Sequence, residues 1–203
     1  TPPLNQVNNM TGDKYFTYAA ELMKLHRPHA TDWSVVARLK RLGIVPGRSF
    51  DFAKADPVVQ QALLEAPAEG LKLLESAAPN MAKVVNGWQM LTDTMGVYGN
   101  AYLKRAWVTK IGLGALPVVD AIYPMNLADA DGKPLDGVHD YVMHFEQAEL
   151  PPVGAFWSVT MYDGKTQFLI KNPIDRYLIN SPMLPGMKTN ADGSLTLYIQ
   201  KDS

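Results

Sequence analysis

Apolar positions fall into two textures along this chain, the first helical and the second strand-like. From Asp13 onward, Tyr15, Phe16, Ala19, Ala20 and Met23 recur at three- and four-residue spacing. That spacing predicts a helix with one apolar face. Pro28 disfavours helical backbone at Arg27, so this helix should end near His26. A second helix should start at Thr31 or Asp32, either of which can cap it. Val35, Val36, Leu39 and Leu42 form its apolar face, and Gly43 suits the position just past its end. Asp56 followed by Pro57 carries the start signature of a third helix. It runs through Leu63 and Leu64, is kinked or restarted at Pro67, and continues to Ala77. Ahead of all three, Pro2, Pro3, Asn5, Asn8 and Asn9 read as an extended linker.

A looser stretch rich in Gly, Asn and Thr follows Pro79. A fourth helix should cover Asn100 to Ile111, ended by Gly112 and Gly114. It places Tyr102, Arg105 and Thr109 on one stripe. From Asp120 the texture changes to short β-rich runs between turn signals. DAIYPMNLA precedes Asp131-Gly132, and YVMHF precedes Pro151-Pro152. AFWSVTMY precedes Asp163-Gly164 and QFLI, while LTLYIQ follows Asp192-Gly193. Asp-Gly between strand-like runs signals a hairpin, because glycine takes positive φ at little steric cost. Regularly spaced short strands argue for a sandwich, a jelly roll or a barrel.

Composition narrows the function classes. With 203 residues and 47% apolar content, the chain has room for one large domain or two small ones with a real core. A net charge of −1 suggests neither a nucleic-acid footprint nor an anionic-membrane surface. The absence of cysteine excludes thiol catalysis, disulfides and cysteine-ligated metals. It also suits an exported protein, periplasmic or secreted, in which a stray thiol would mispair, although cytoplasmic proteins lack cysteine too. No apolar run approaches the ~18 residues of a membrane helix. The opening Thr1-Pro2-Pro3 reads as a processed or excised product, with any signal segment removed upstream.

The motifs YGNAYLKRA, GLGALPVVDAIYP, DADGKPLDG, LPPVGAFWSVTMYD, NPIDRY and NADGSLTLYIQ occur in this order, and RLGIVPGRSFDF lies ahead of them. On these segments the chain resembles the bacterial domain of unknown function 1214 family. It is similar to the C-terminal part of proteins that also carry domain of unknown function 1254. Leu116 and Val119 depart from the family pattern, which has Asn and Glu there; a family site built on those groups would be blunted here. The resemblance implies an α+β fold: a linker and helical segment over residues 1–78, then an antiparallel jelly-roll-like β-sandwich over residues 79–203. One helix near residues 100–111 leads the β part, and the sandwich is incomplete at both ends. Members look exported, which points to the periplasm. The resemblance implies no reaction. An incomplete sandwich leaves the strand at residues 194–200 with an open edge. That strand should then pair with missing residues, with another fragment of the same protein, or with a neighbouring subunit in a homo-oligomer.

Several polar residues are candidates for chemistry. His26 and His29 have a spacing that can ligate a metal, but Pro28 interrupts the helix between them and no third ligand lies nearby except Asp32, so exposed helix-end polarity is the favoured reading. Asp129, Asp131 and Asp136 form an oxygen-rich loop without the full calcium pattern, so a plain turn is the simpler reading. Tyr98, Tyr102 and Arg105 cluster near the fourth helix, where an arginine among tyrosines can clamp a carboxylate or phosphate, or instead satisfy backbone carbonyls. His144 alternates with Val142 and Glu146 on one face of YVMHF. It is a candidate general base without a local partner. In GAFWSVTMYD, Phe156, Ser158, Thr160 and Tyr162 share a polar-aromatic face, which suits a ligand cleft or the wet side of a sheet. Ser158 lacks a nucleophile elbow. Arg176 in NPIDRY can contact a ligand or latch onto Asp175 or Asp163. No phosphate loop, dinucleotide fingerprint or zinc motif appears, and no cofactor is implied. Two function classes follow. One is binding of a small molecule or carbohydrate by the β domain, or its use as an assembly module. The other is a hydrolase or lyase in which His144 moves protons and Arg105 holds an anionic group.

Overall fold

The computed structural model describes residues 2–201. Helices occupy the N-terminal half and antiparallel strands the C-terminal half, and residues 1–127 and 128–203 form two compact units.

The first unit is built on α2 (Gly12–Leu25), α3 (Trp33–Arg41) and α4 (Pro57–Ala77). The start of α4 and the end of α3 follow their signals, whereas the Asp32 side chain at the start of α3 does not cap that helix and turns back to the His29 N–H. The Val58 N–H donates to Asp56 Oδ1 at 2.9 Å, capping α4, and Gly43 takes φ 81° just past α3. Pro67 sits inside α4 without ending it. Ala20, Ile44, Phe50 and Leu63 are buried, ringed by Phe16, Met23, Leu39, Leu42 and Val59. Gly12 sets the approach of α2 to α4: a Cβ there would lie 1.9 Å from the Leu63 carbonyl oxygen.

Residues 3–8 depart from the extended linker expected of them and form a short helix, α1 (Pro3–Asn8). Proline is compatible with a first helical turn, because its missing N–H has no partner to lose there. The loose stretch after Pro79 contains a hairpin, β1 (Lys83–Val85) with β2 (Trp88–Met90). Its turn is Asn86-Gly87, with φ 49° and 78°, the doubly positive geometry that matches strand twist. Met125 adds a bridge to β2 through two backbone bonds with Gln89. Then α5 (Tyr102–Gly112) buries Trp107 and Val108 against Met95, Leu74, Leu91 and Tyr98.

The second unit pairs β3 (Tyr141–Phe145) with β6 (Leu195–Ile199) and β4 (Ser158–Thr160) with β5 (Leu178–Asn180), both antiparallel. Besides the Met125–Gln89 bridge of the first unit, the DAIYPMNLA and QFLI runs contribute isolated bridges here, Ala128 to Pro134 and Tyr162 to Leu169. Trp157, Leu195 and Leu197 are buried among Met143, Phe145, Val159 and Ile179, and the Phe145 and Trp157 rings lie 5.8 Å apart. Among the described residues the strands make three two-stranded sheets.

Candidate functional site

In the first unit, the turn before α3 places Asp32 at the centre of a latch. The carboxylate is buried at 8% exposure. Its Oδ1 accepts the Tyr102 hydroxyl at 2.8 Å, and its Oδ2 accepts the His29 N–H at 2.9 Å. The Tyr102 hydroxyl, then the His29 N–H and the Arg105 charge, hold the Asp32 carboxyl below its ordinary range despite burial. Burial and the Asp32 bond push the Tyr102 phenol up. Arg105, one turn further along α5, stands 5.1 Å over the Tyr102 ring. Tyr98 bonds the Met95 sulfur at 3.5 Å and packs beside Trp107. His29 caps the turn through Thr31 N, while His26 ends α2. A hollow of about 380 Å³ elsewhere in this unit is rimmed by Arg41, Asp51, Lys54 and Asp56 over Phe50 and Val59.

In the second unit, the register of β3 on β6 sets His144 opposite Thr196 and Val142 opposite Tyr198 on the outer face. The inner face carries Met143, Phe145, Leu195 and Leu197. A chain of side-chain bonds runs along the outer face. Asn190 Nδ2 donates to Ser194 Oγ at 2.9 Å and to Thr196 Oγ1 at 3.0 Å. The Ser194 hydroxyl donates to Asp192 Oδ1 at 2.7 Å and lowers the Asp192 pKa. His144 Nδ1 meets Thr196 Oγ1 at 3.1 Å, and its Nε2 lies 3.4 Å from Glu146 Oε1. With the ring hydrogen on Nε2, Nδ1 accepts the Thr196 hydroxyl proton, and Thr196 Oγ1 in turn accepts from Asn190; Glu146 is a nearby carboxylate and not a hydrogen-bond partner of the ring. Tyr198, 66% exposed, flanks this row.

The other sequence candidates lie near the β4–β5 pair or in turns of the same unit. Trp157 and Val159 face the core, and Phe156 and Tyr162 are exposed. Asp163 accepts from Thr166 and Lys165 in its own turn, and Asp175 accepts the Tyr177 hydroxyl. Arg176 is therefore held by its backbone, with Asn172 bonding both its N–H and its carbonyl at 2.9 Å. Asp129 closes its own turn through Asp131 N and Lys133 N, while Asp136 pairs with His139 at 2.8 Å. Among the described residues, no group of three or more His, Cys, Asp or Glu is placed to hold a metal, and no helix is long and apolar enough to cross a membrane.

The structure brings together Tyr102 with Arg105, and His144 with Glu146. Arg105 and His144 belong to different units. Thr196, Asn190 and Tyr198 escaped the sequence reading. Thr196 is 52 positions from His144, and only strand register joins them. Alternation in LTLYIQ marks Thr196 and Tyr198 as sharing a face, but not which strand that face adjoins.

By fold the chain is a mixed helix-and-sheet protein with antiparallel strand pairs in its C-terminal half. Residues 120–203 match the family model described as Protein of unknown function (DUF1214), so the C-terminal part of the chain is similar to that family. The chain is also similar to the crystal structure of the VPA0106 protein from Vibrio parahaemolyticus, at 28% identity and a TM-score of 0.58. The match covers 85% of this chain and 40% of that one, so the chain spans well under half of its solved relative. A comparison with curated proteins returns no match.

Proposed function

We propose that this chain is a binding module of an exported bacterial protein, and that the outer face of the β3–β6 pair receives a small polar molecule of carbohydrate type. The observation that carries this reading is the hydrogen-bonded row His144–Thr196–Asn190, with Glu146 3.4 Å from His144, beside exposed Tyr198; buried Ser194 anchors Asn190. Hydroxyl, amide and imidazole groups next to an aromatic ring match the alternating hydroxyl edges and apolar faces of a sugar. Tyr162 and Arg176 belong to the same unit and are further residues we would test for ligand contact. In the first unit, exposed Arg105 above Tyr102 is the group we assign to an anionic ligand, with Tyr98 as packing support. We read the two strand pairs of the second unit as parts of a jelly-roll-like sandwich, because side chains from both share one core. A periplasmic or secreted location fits the lack of cysteine.

Calorimetry and thermal shift against neutral mono- and oligosaccharides test the reading. Saturable binding should weaken about tenfold or more in His144→Ala and Thr196→Val, which is at least ~1.4 kcal/mol. A flat response across the panel, or equal binding by both variants, overturns it. One observation favours a hydrolase or lyase instead: His144 lies between a carboxylate and a hydroxyl, as a general base would. Turnover of activated esters and glycosides that disappears in His144→Ala would support that alternative, and unchanged background rates would remove it.

A further inference from the structure

The β1–β2 hairpin turns at Asn86-Gly87, the single Asn-Gly pair of the chain; every other asparagine precedes a residue that carries a side chain. Glycine lacks the Cβ that would shield its backbone nitrogen from the preceding side chain. Both turn residues are exposed, and a Cβ built on Gly87 would meet nothing within 4 Å. Among the described residues, no hydrogen bond engages the Asn86 side-chain amide or the Gly87 N–H. The strands behind the turn are three residues each, Lys83–Val85 exposed and Trp88–Met90 half-buried. A hairpin of that size is marginal in water and opens locally at little free-energy cost.

We propose that Asn86 is a site of spontaneous, intramolecular modification through a succinimide. The Gly87 backbone nitrogen loses its proton to solvent base and attacks Cγ of Asn86. A new C–N bond forms, the Cγ–Nδ2 bond breaks, and Nδ2 leaves as ammonia after taking up a proton. Water then opens the ring at either carbonyl. Opening at Cγ gives aspartate, and opening at the backbone carbonyl carbon gives isoaspartate, whose main chain runs through Cβ and Cγ. Water is the sole co-reactant, and nothing is oxidised or reduced. Ring closure requires rotation about the Asn86 Cα–C bond away from the turn, whose two residues hold φ 49° and 78°, so hairpin opening sets the pace. The two products differ in consequence. Aspartate keeps the backbone path and adds one negative charge. Isoaspartate adds a methylene to the loop whose length fixes the pairing of Val85 with Trp88. The neighbouring Gln89 exchanges backbone bonds with Met125 at 2.7 and 3.0 Å, so a slipped hairpin also loosens that bridge.

Incubation of the whole chain at mildly alkaline pH, followed by peptide mass spectrometry, tests it. The Asn86 peptide should gain the mass difference between water and ammonia about tenfold or more faster than any other asparagine peptide. The rate should rise with pH, because the attacking nitrogen must lose its proton. Labelling by an isoaspartate methyltransferase should appear at position 86 in parallel. It should vanish there in Asn86→Gln, whose longer side chain closes a larger ring more slowly. Should that variant fold poorly by circular dichroism, the other asparagines of the unmodified chain serve as the internal standard. In the isoaspartate form, the Gln89 and Met125 amides should exchange faster than in fresh protein. Conversion led by another asparagine, conversion of Asn86 in urea but not in the folded chain, or unchanged Gln89 and Met125 exchange in the isoaspartate form overturns the proposal.

Discussion

Gly12 and Gly70 both lie in helices, yet a methyl group meets opposite surroundings at the two sites. At Gly12 it strikes the α4 backbone at Leu63, and backbone cannot rotate aside. Gly12→Ala should therefore destabilise the first unit by about 3 kcal/mol, the upper range for overpacking. At Gly70, inside α4, nothing lies within 4 Å. Gly70→Ala should stabilise by about 0.5–1 kcal/mol, because only backbone entropy changes. Urea midpoints of the two variants separate the cases. Asp32 adds a pH dependence with a definite sign. Its folded pKa lies below the unfolded value of about 3.9. The resulting stability is present above about pH 4 and is lost as pH falls through the folded value. Tyr102→Phe removes the largest cause of that depression. It should lower stability at pH 7 and shrink the difference between unfolding midpoints at pH 7 and pH 3.

At the scale of elements, two turns and one strand show what local sequence controls. Asn86-Gly87 closes β1 on β2 with both residues at positive φ. A β-branched residue resists that geometry, so Asn86→Val should weaken the hairpin by about 1–2 kcal/mol, read as faster amide exchange at Val85 and Trp88, the pair that flanks the turn. The Asn-Gly signal was present in the sequence, but its flanking strands are three residues each, too short for alternation to stand out. Leu197, 2% exposed on the inner face of β6, illustrates the opposite case. Leu197→Ala should cost about 3 kcal/mol in the unfolding of the second unit, since the site sits among Trp157, Met143 and Val159. The α2 and α3 boundaries were legible because proline, cap residues and glycine act within a few positions. Partner choice among β runs was not: LTLYIQ pairs with YVMHF across a long loop, and QFLI beside it makes only a bridge.

For the molecule as a whole, charge and exposed apolar surface act together. The chain has a net charge of −1 at pH 7 and an isoelectric point of about 6.4. Large apolar side chains such as Val119, Phe168 and Ile174 are more than two-thirds exposed. Electrostatic repulsion between copies vanishes near the isoelectric point, while apolar attraction does not. Light scattering across pH should therefore find self-association strongest near pH 6.4, receding on either side as net charge grows.

The sequence by itself determined the helical first half, its caps, the change to strand texture near Asp120 and the family that the C-terminal part resembles. These rest on interactions within a few residues, where pattern and backbone preference act directly. The tertiary structure alone decided that Asp32 reaches Tyr102, that His144 meets Thr196, and that Gly12 is pressed against Leu63. Each of these joins positions far apart in the chain, and their meeting is fixed by packing and strand register, which local pattern does not encode.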